Sequence, residues 1–187
     1  MPSDGESFEN PPEGRERGFF TFRIYIFGVW VQVTVDTLIP CGADRRPVFA
    51  RCADPRELWA LYLEKAYAKM HRSYAAIEGG SLTSALVDLT GGFAEEIDLR
   101  SESARTELES GRLWQRLLRY QRLGYLMGCA VAVPGGETQE RTPENLMMNH
   151  AYGILLHYEQ KESAGSDDGE PLRLIKVRNP WGEGEWA

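Results

Sequence analysis

Hydrophobic and polar positions along the chain change period several times, and each change marks an element. Residues 19–40, "FFTFRIYIFGVWVQVTVDTLIP", alternate aromatic or β-branched side chains with polar ones on either side of Gly28. A period of two around a glycine predicts a β-hairpin, closed by Pro40. The period then lengthens. In "DPRELWALYLEKAYAKMHRSYAAIEGG", Leu58, Tyr62, Ala66, Met70, Tyr74 and Ile77 fall three or four apart. That spacing predicts a helix with one buried stripe, capped by Asp54, with Pro55 at its first position and Gly79-Gly80 at its end.

"SLTSALVDLTGG" (81–92) predicts a short helix ended by a second glycine pair, and Arg112 to Arg122 a further helix. "YLMGCAVAV" (125–133) is apolar enough for a short buried strand, with Cys129 in the core. A polar loop, "PGGETQERTPENL", leads into the alternating run "NHAYGILLHYEQ" (149–160). The polar stretch "QKESAGSDDGEP" then joins it, as a long hairpin loop, to a last strand in "LRLIKVRNPWGEGEW". Strands and helices do not alternate regularly and no segment repeats. The expected class is therefore α+β, a largely antiparallel sheet with flanking helices.

Composition narrows the picture. The 187 residues suit one domain, from residue 18 to 187, behind an acidic, Pro/Gly-rich lead over residues 1–17 that is expected to be disordered. A formal charge of −7 disfavours nucleic acid and anionic lipid as partners. The basic cluster "GRLWQRLLRYQR" interleaves leucine and tryptophan at helical spacing, as a packed helix with a solvated face would. No apolar run approaches the roughly 20 residues of a membrane helix. Three cysteines, Cys41, Cys52 and Cys129, form neither a disulfide pattern nor a zinc pattern. The expectation is a soluble, intracellular, cytoplasmic chain.

Candidate chemistry lies at two strand ends. His150 opens one strand and Asn179 follows the next. Histidine suits proton transfer near neutral pH if something fixes its ring, and an asparagine carbonyl can accept from one ring N–H. Consecutive antiparallel strands would bring the two together, Pro180 would hold Asn179 extended, and Trp181 could exclude water. The ordinary reading stays open beside it: a half-buried histidine at a strand start and an Asn-Pro turn. His157, an odd number of residues from His150, would face the opposite side in an unbroken strand. His71 is expected at the surface of the long helix.

Together, "ELWALYLEKAYAKMHRSYAAIEGG", "DLTGG", "NHAYGIL" and "VRNPWGEGEW" resemble, in that order, the second half of the calpain protease core. The resemblance covers the chain from about Phe19 to Ala187. It implies a papain-like catalytic subdomain, cut short at both ends, of a calcium-dependent intracellular cysteine endopeptidase acting on protein substrates. His150 would be the catalytic histidine, Asn179 its orienter and Trp181 the shield of the pair at the cleft. Glu185 would be part of a calcium site whose other ligands are not in this chain. The family's nucleophile sits in a Gly-Asp-Cys-Trp motif, absent from these residues, so a complementary Cys-bearing half is the implied partner and this chain alone is expected to be inactive. Cys52, just before the long helix, lacks the following tryptophan. A non-catalytic calpain-like module that binds protein partners is the alternative.

Overall fold

The computed structural model describes residues 18–52, 54, 56–131, 141–142, 145–160 and 172–180. The lead at 1–17, most of the loop before His150, the hairpin loop at 161–171 and the tail from 181 lie outside the described residues. The chain divides into two compact units, one ending at Glu95 and the other beginning at Glu96.

In the first unit, β1 (Phe19–Ile26) and β2 (Val29–Asp36) pair antiparallel, with Ile26 opposite Val29. Phe27 and Gly28 form the two-residue turn, both at positive φ (50° and 84°). Such a turn matches the right-handed twist of the strands. Alternation sends Phe22, Ile24, Val33 and Val35 to one face, where Tyr62 and Ala66 of α1 (Trp59–Met70) close the core. Phe20 stacks on Tyr62 with ring centroids 4.4 Å apart. Burial of this apolar surface, at roughly 25 cal/mol per Å², is the main force holding helix to hairpin.

Helix α1 is shorter at both ends than its sequence predicts. Asp54 does not cap it: its carboxylate takes the backbone N–H of Arg56 (2.9 Å) and the Arg56 guanidinium (2.7 Å), forming a local turn instead. At the other end Arg72 adopts φ 79°, which ends the helix well before Gly79. Tyr74 and Ile77 therefore belong to a following 3-10 turn, Ala75–Ile77, and its entry, and Tyr74 stacks on Phe49. His71 lies just past the helix end, half-buried, its Nε2 3.7 Å from Asp88.

Helix α2 (Leu82–Thr90) packs on β1. The Ser81 hydroxyl accepts from Ser84 N–H, and Gly91 ends the helix in the left-handed conformation. "DLTGG" is thus a structural joint. Asp88 accepts from the Tyr67 hydroxyl of α1 at 2.9 Å, and burial together with that carboxylate pushes the Tyr67 hydroxyl up to about 12. Gly91 lies under Trp30, where a Cβ would come 2.6 Å from the ring.

The second unit orders its sheet β3–β4–β5, antiparallel throughout: β3 (Gly128–Ala130), β4 (Ala151–Gln160) and β5 (Leu172–Arg178). Two helices, α3 (Glu102–Glu109) and α4 (Arg112–Arg122), pack on each other, and α4 packs on β4. The sequence reading missed α3. Its Ser101 cap, accepting from Ala104 N–H at 3.2 Å, was the available signal. Strand β3 corrects another expectation: it is three residues long, and as an edge strand it leaves Cys129 and Ala130 exposed rather than in the core. On α4 the apolar stripe is real, since Leu113 and Trp114 are buried.

Strand β4 is interrupted. Ile154 pairs with Val177 and Leu156 with Lys176, so Leu155 is an extra residue, a bulge. Before it the inward positions are even, with Tyr152 buried; after it they are odd, with His157 buried. His157 therefore does not face the side opposite Tyr152, as it would in an unbroken strand. It lies against α4.

Candidate active site

His150 immediately precedes β4 and Asn179 immediately follows β5. Gly153 pairs with Arg178, so continuing the ladder by one residue sets Tyr152 opposite Asn179. His150, two residues before Tyr152, then lies diagonal to Asn179 on the same face, within reach of long side chains. The two meet: His150 Nε2 lies 2.8 Å from Asn179 Oδ1, both residues being half-buried. An amide oxygen only accepts, so Nε2 carries the hydrogen of this bond. Protons can then come and go only at Nδ1. That division of labour is what a histidine base needs, one nitrogen for orientation and the other for chemistry.

The surroundings of His150 are built by residues that the sequence reading did not single out. Tyr152 is buried, its ring perpendicular to the imidazole (89°) with centroids 5.0 Å apart. Its hydroxyl accepts the backbone N–H of Met147 at 2.8 Å. Asn149, at φ 51°, donates its N–H to the Val131 carbonyl at 2.7 Å. The one sequence signal was the two-residue step from His150 to Tyr152.

A second histidine is anchored further along β4. The backbone N–H of His157 and its Nδ1 both meet Gln121 Oε1 of α4, at 2.7 and 2.6 Å. Its ring stands edge-on to Trp114 at 5.6 Å. Enclosure disfavours the charged ring and holds His157 below the ordinary histidine value. The Nε2 of His157 and the Nε1 of Trp114 are buried without a hydrogen-bond partner among the described residues.

Other candidates fall elsewhere. Trp181 and Glu185 lie outside the described residues. All three cysteines are free thiols. Cys129 is on the edge strand opposite Tyr152 in the β3–β4 ladder, and partial desolvation raises its thiol, the wrong direction for a nucleophile. Cys41 donates to the carbonyl of Ile39 in a surface turn. Among the described residues no three His, Cys, Asp or Glu side chains converge as metal ligands. Calcium takes six to eight oxygens, so the described residues do not fit a calcium site. No helix among them is long and apolar enough to cross a membrane.

The second unit is thus an α+β arrangement in which a histidine at one strand entrance meets an asparagine at the neighbouring strand's exit. The chain belongs to the calpain family of cysteine proteases, whose profile it matches over residues 5–187. It is similar to calpain-type cysteine protease DEK1 of Arabidopsis thaliana, 46% identical over 176 residues, which cover 94% of this chain and 8% of that protein. Identity to the calpain-1 catalytic subunit of Rattus norvegicus is 38% over 183 residues, covering 97% of this chain and 23% of that one. For the human calpain-1 catalytic subunit it is 36% over 188 residues, with 98% and 23% covered. The chain thus spans less than a quarter of the length of these relatives.

Proposed function

We propose that this chain supplies the His/Asn half of a calpain-type cysteine endopeptidase, as one catalytic subdomain from about residue 18 to 187. The observation that carries this reading is the 2.8 Å contact between His150 Nε2 and Asn179 Oδ1. In this reading a cysteine thiol, contributed by sequence outside these 187 residues, gives its proton to His150 Nδ1. The thiolate attacks the carbonyl carbon of a peptide bond. The tetrahedral intermediate expels the amine, which takes the proton back from Nδ1, and leaves a thioester. Water, deprotonated by the same nitrogen, then releases the acid and regenerates the thiol. Asn179 keeps the imidazole directed throughout, and a shielding role for Trp181 belongs to this reading through the resemblance alone. Protein substrates follow from the reaction class, and an intracellular setting suits three unpaired thiols. Calcium dependence belongs to this reading through the resemblance alone, and no step above depends on it.

The test combines the chain with a separately produced Cys-bearing calpain half and follows cleavage of a fluorogenic peptide. Peptidase activity appears only in the mixture. His150→Ala lowers it by about 10²- to 10⁴-fold, the contribution of a positioned base. Asn179→Ala lowers it about tenfold, the loss of one orienting hydrogen bond of roughly 1.4 kcal/mol. Activity that survives His150→Ala contradicts the assignment.

A further inference from the structure

We propose that Tyr152 is a second positioning residue of His150, beside Asn179, a role that rests on His150 being the peptidase base. The hydrogen bond to Asn179 fixes a point on the imidazole. A roll of the ring about the line from Cβ towards Nε2 would swing Nδ1 away from a nucleophile. Tyr152 limits that roll. Its ring is 7% exposed and stands perpendicular to the imidazole at 5.0 Å, so a tilt of the histidine runs into a packed wall.

The same side chain braces the backbone that delivers His150. The Tyr152 hydroxyl accepts Met147 N–H at 2.8 Å, closing a loop from Met147 to Tyr152 around the histidine. Within that loop Asn149 holds φ 51°, a conformation that costs a non-glycine residue free energy and persists only where its neighbours hold it. They do: Met147 is buried and tied to Tyr152, and Asn149 N–H is tied to Val131. Tyr152 thus joins two constraints on one catalytic ring, a wall beside it and a strut beneath its backbone. Neither acts on the substrate, so kcat should respond and KM should not.

Two readouts test this. In the reconstituted peptidase, Tyr152→Phe keeps the wall and removes the strut; kcat falls about tenfold with KM unchanged. Tyr152→Leu removes both, and kcat falls by about a further tenfold. In the 187-residue chain alone, nitrogen-resolved NMR of the imidazole follows the Nε2–H proton. It is protected from solvent exchange in the native chain, exchanges faster in Tyr152→Phe, and is lost in Tyr152→Leu. Because Tyr152→Leu opens a buried site, its fold is checked by circular dichroism, and Tyr152→Phe decides the matter if that variant unfolds. Native kcat together with native Nε2–H exchange in Tyr152→Phe overturns the strut, and the same result in folded Tyr152→Leu overturns the wall. Activity retained by His150→Ala, by contrast, removes the base assignment itself.

Discussion

Gln121 accepts twice from one residue, at the backbone N–H and at the ring of His157, and by doing so ties β4 to α4. Gln121→Ala leaves two buried donors unanswered, and a loss of about 1–3 kcal/mol is expected in urea unfolding of the chain. The pH dependence has a definite sign. His157 titrates below its ordinary value when folded, so the unfolded chain binds the proton first. Folding therefore loses stability as pH drops from about 6.5 towards the folded value, at no more than about 1.4 kcal/mol per unit for one proton. Above that window His157 contributes no slope. The groups that face it, Gln121 and Trp114, are neutral, and burial alone is the cause of the shift. His157→Gln should remove that part of the acid slope in urea midpoints compared between pH 7.5 and 5. The contact between His150 and Asn179 was legible, because the two sit at adjoining strand ends. The role of His157 depends on a bulge, and no residue type announces one at Leu155.

Elements were legible where periodicity was long and unbroken, as in the hairpin and α4. Helix α3 was missed because it buries only Ala104 among its eight residues, leaving no stripe to detect. The ends of α1 were misplaced because Asp54 answers Arg56, and because a non-glycine residue, Arg72, takes the left-handed conformation that usually marks a glycine. Two glycines show the same distinction energetically. Gly91, at φ 66°, has the Trp30 ring 2.6 Å from where a Cβ would stand. Gly91→Ala should cost at least about 2 kcal/mol in a thermal melt, from the backbone conformation and the displaced ring together. Gly28, at φ 84°, has nothing within 4 Å. Gly28→Asn keeps a residue suited to that turn, and its melt should stay within about 0.5 kcal/mol of the native chain.

For the whole molecule, the resemblance carried most specifically by "ELWALYLEKAYAK" and "RNPWGEGEW" led to the family, and the α+β class followed from the order of elements. The division after Glu95 was not legible, because no change of composition marks it. The proposed source of the nucleophile makes a prediction at this scale. Replacing Cys41, Cys52 and Cys129 together by serine should leave peptidase activity of the reconstituted enzyme within about twofold, the scatter of small surface effects. Loss of activity on replacing Cys52 alone, in a variant that folds, would move the nucleophile into this chain.

The extra residue in β4 has a consequence for which changes the chain can absorb. Leu155 is 53% exposed, so many side chains could replace it at little cost. Its peptide unit is another matter. Deleting it would restore strict alternation, and the strand could then keep either the phase that serves His150 and Tyr152 or the phase that serves His157, but not both. What this position specifies is a count of residues, not a kind. Substitutions should pass there almost unnoticed, while a single deletion should force the histidine end and the anchored end of one strand to compete for the same face.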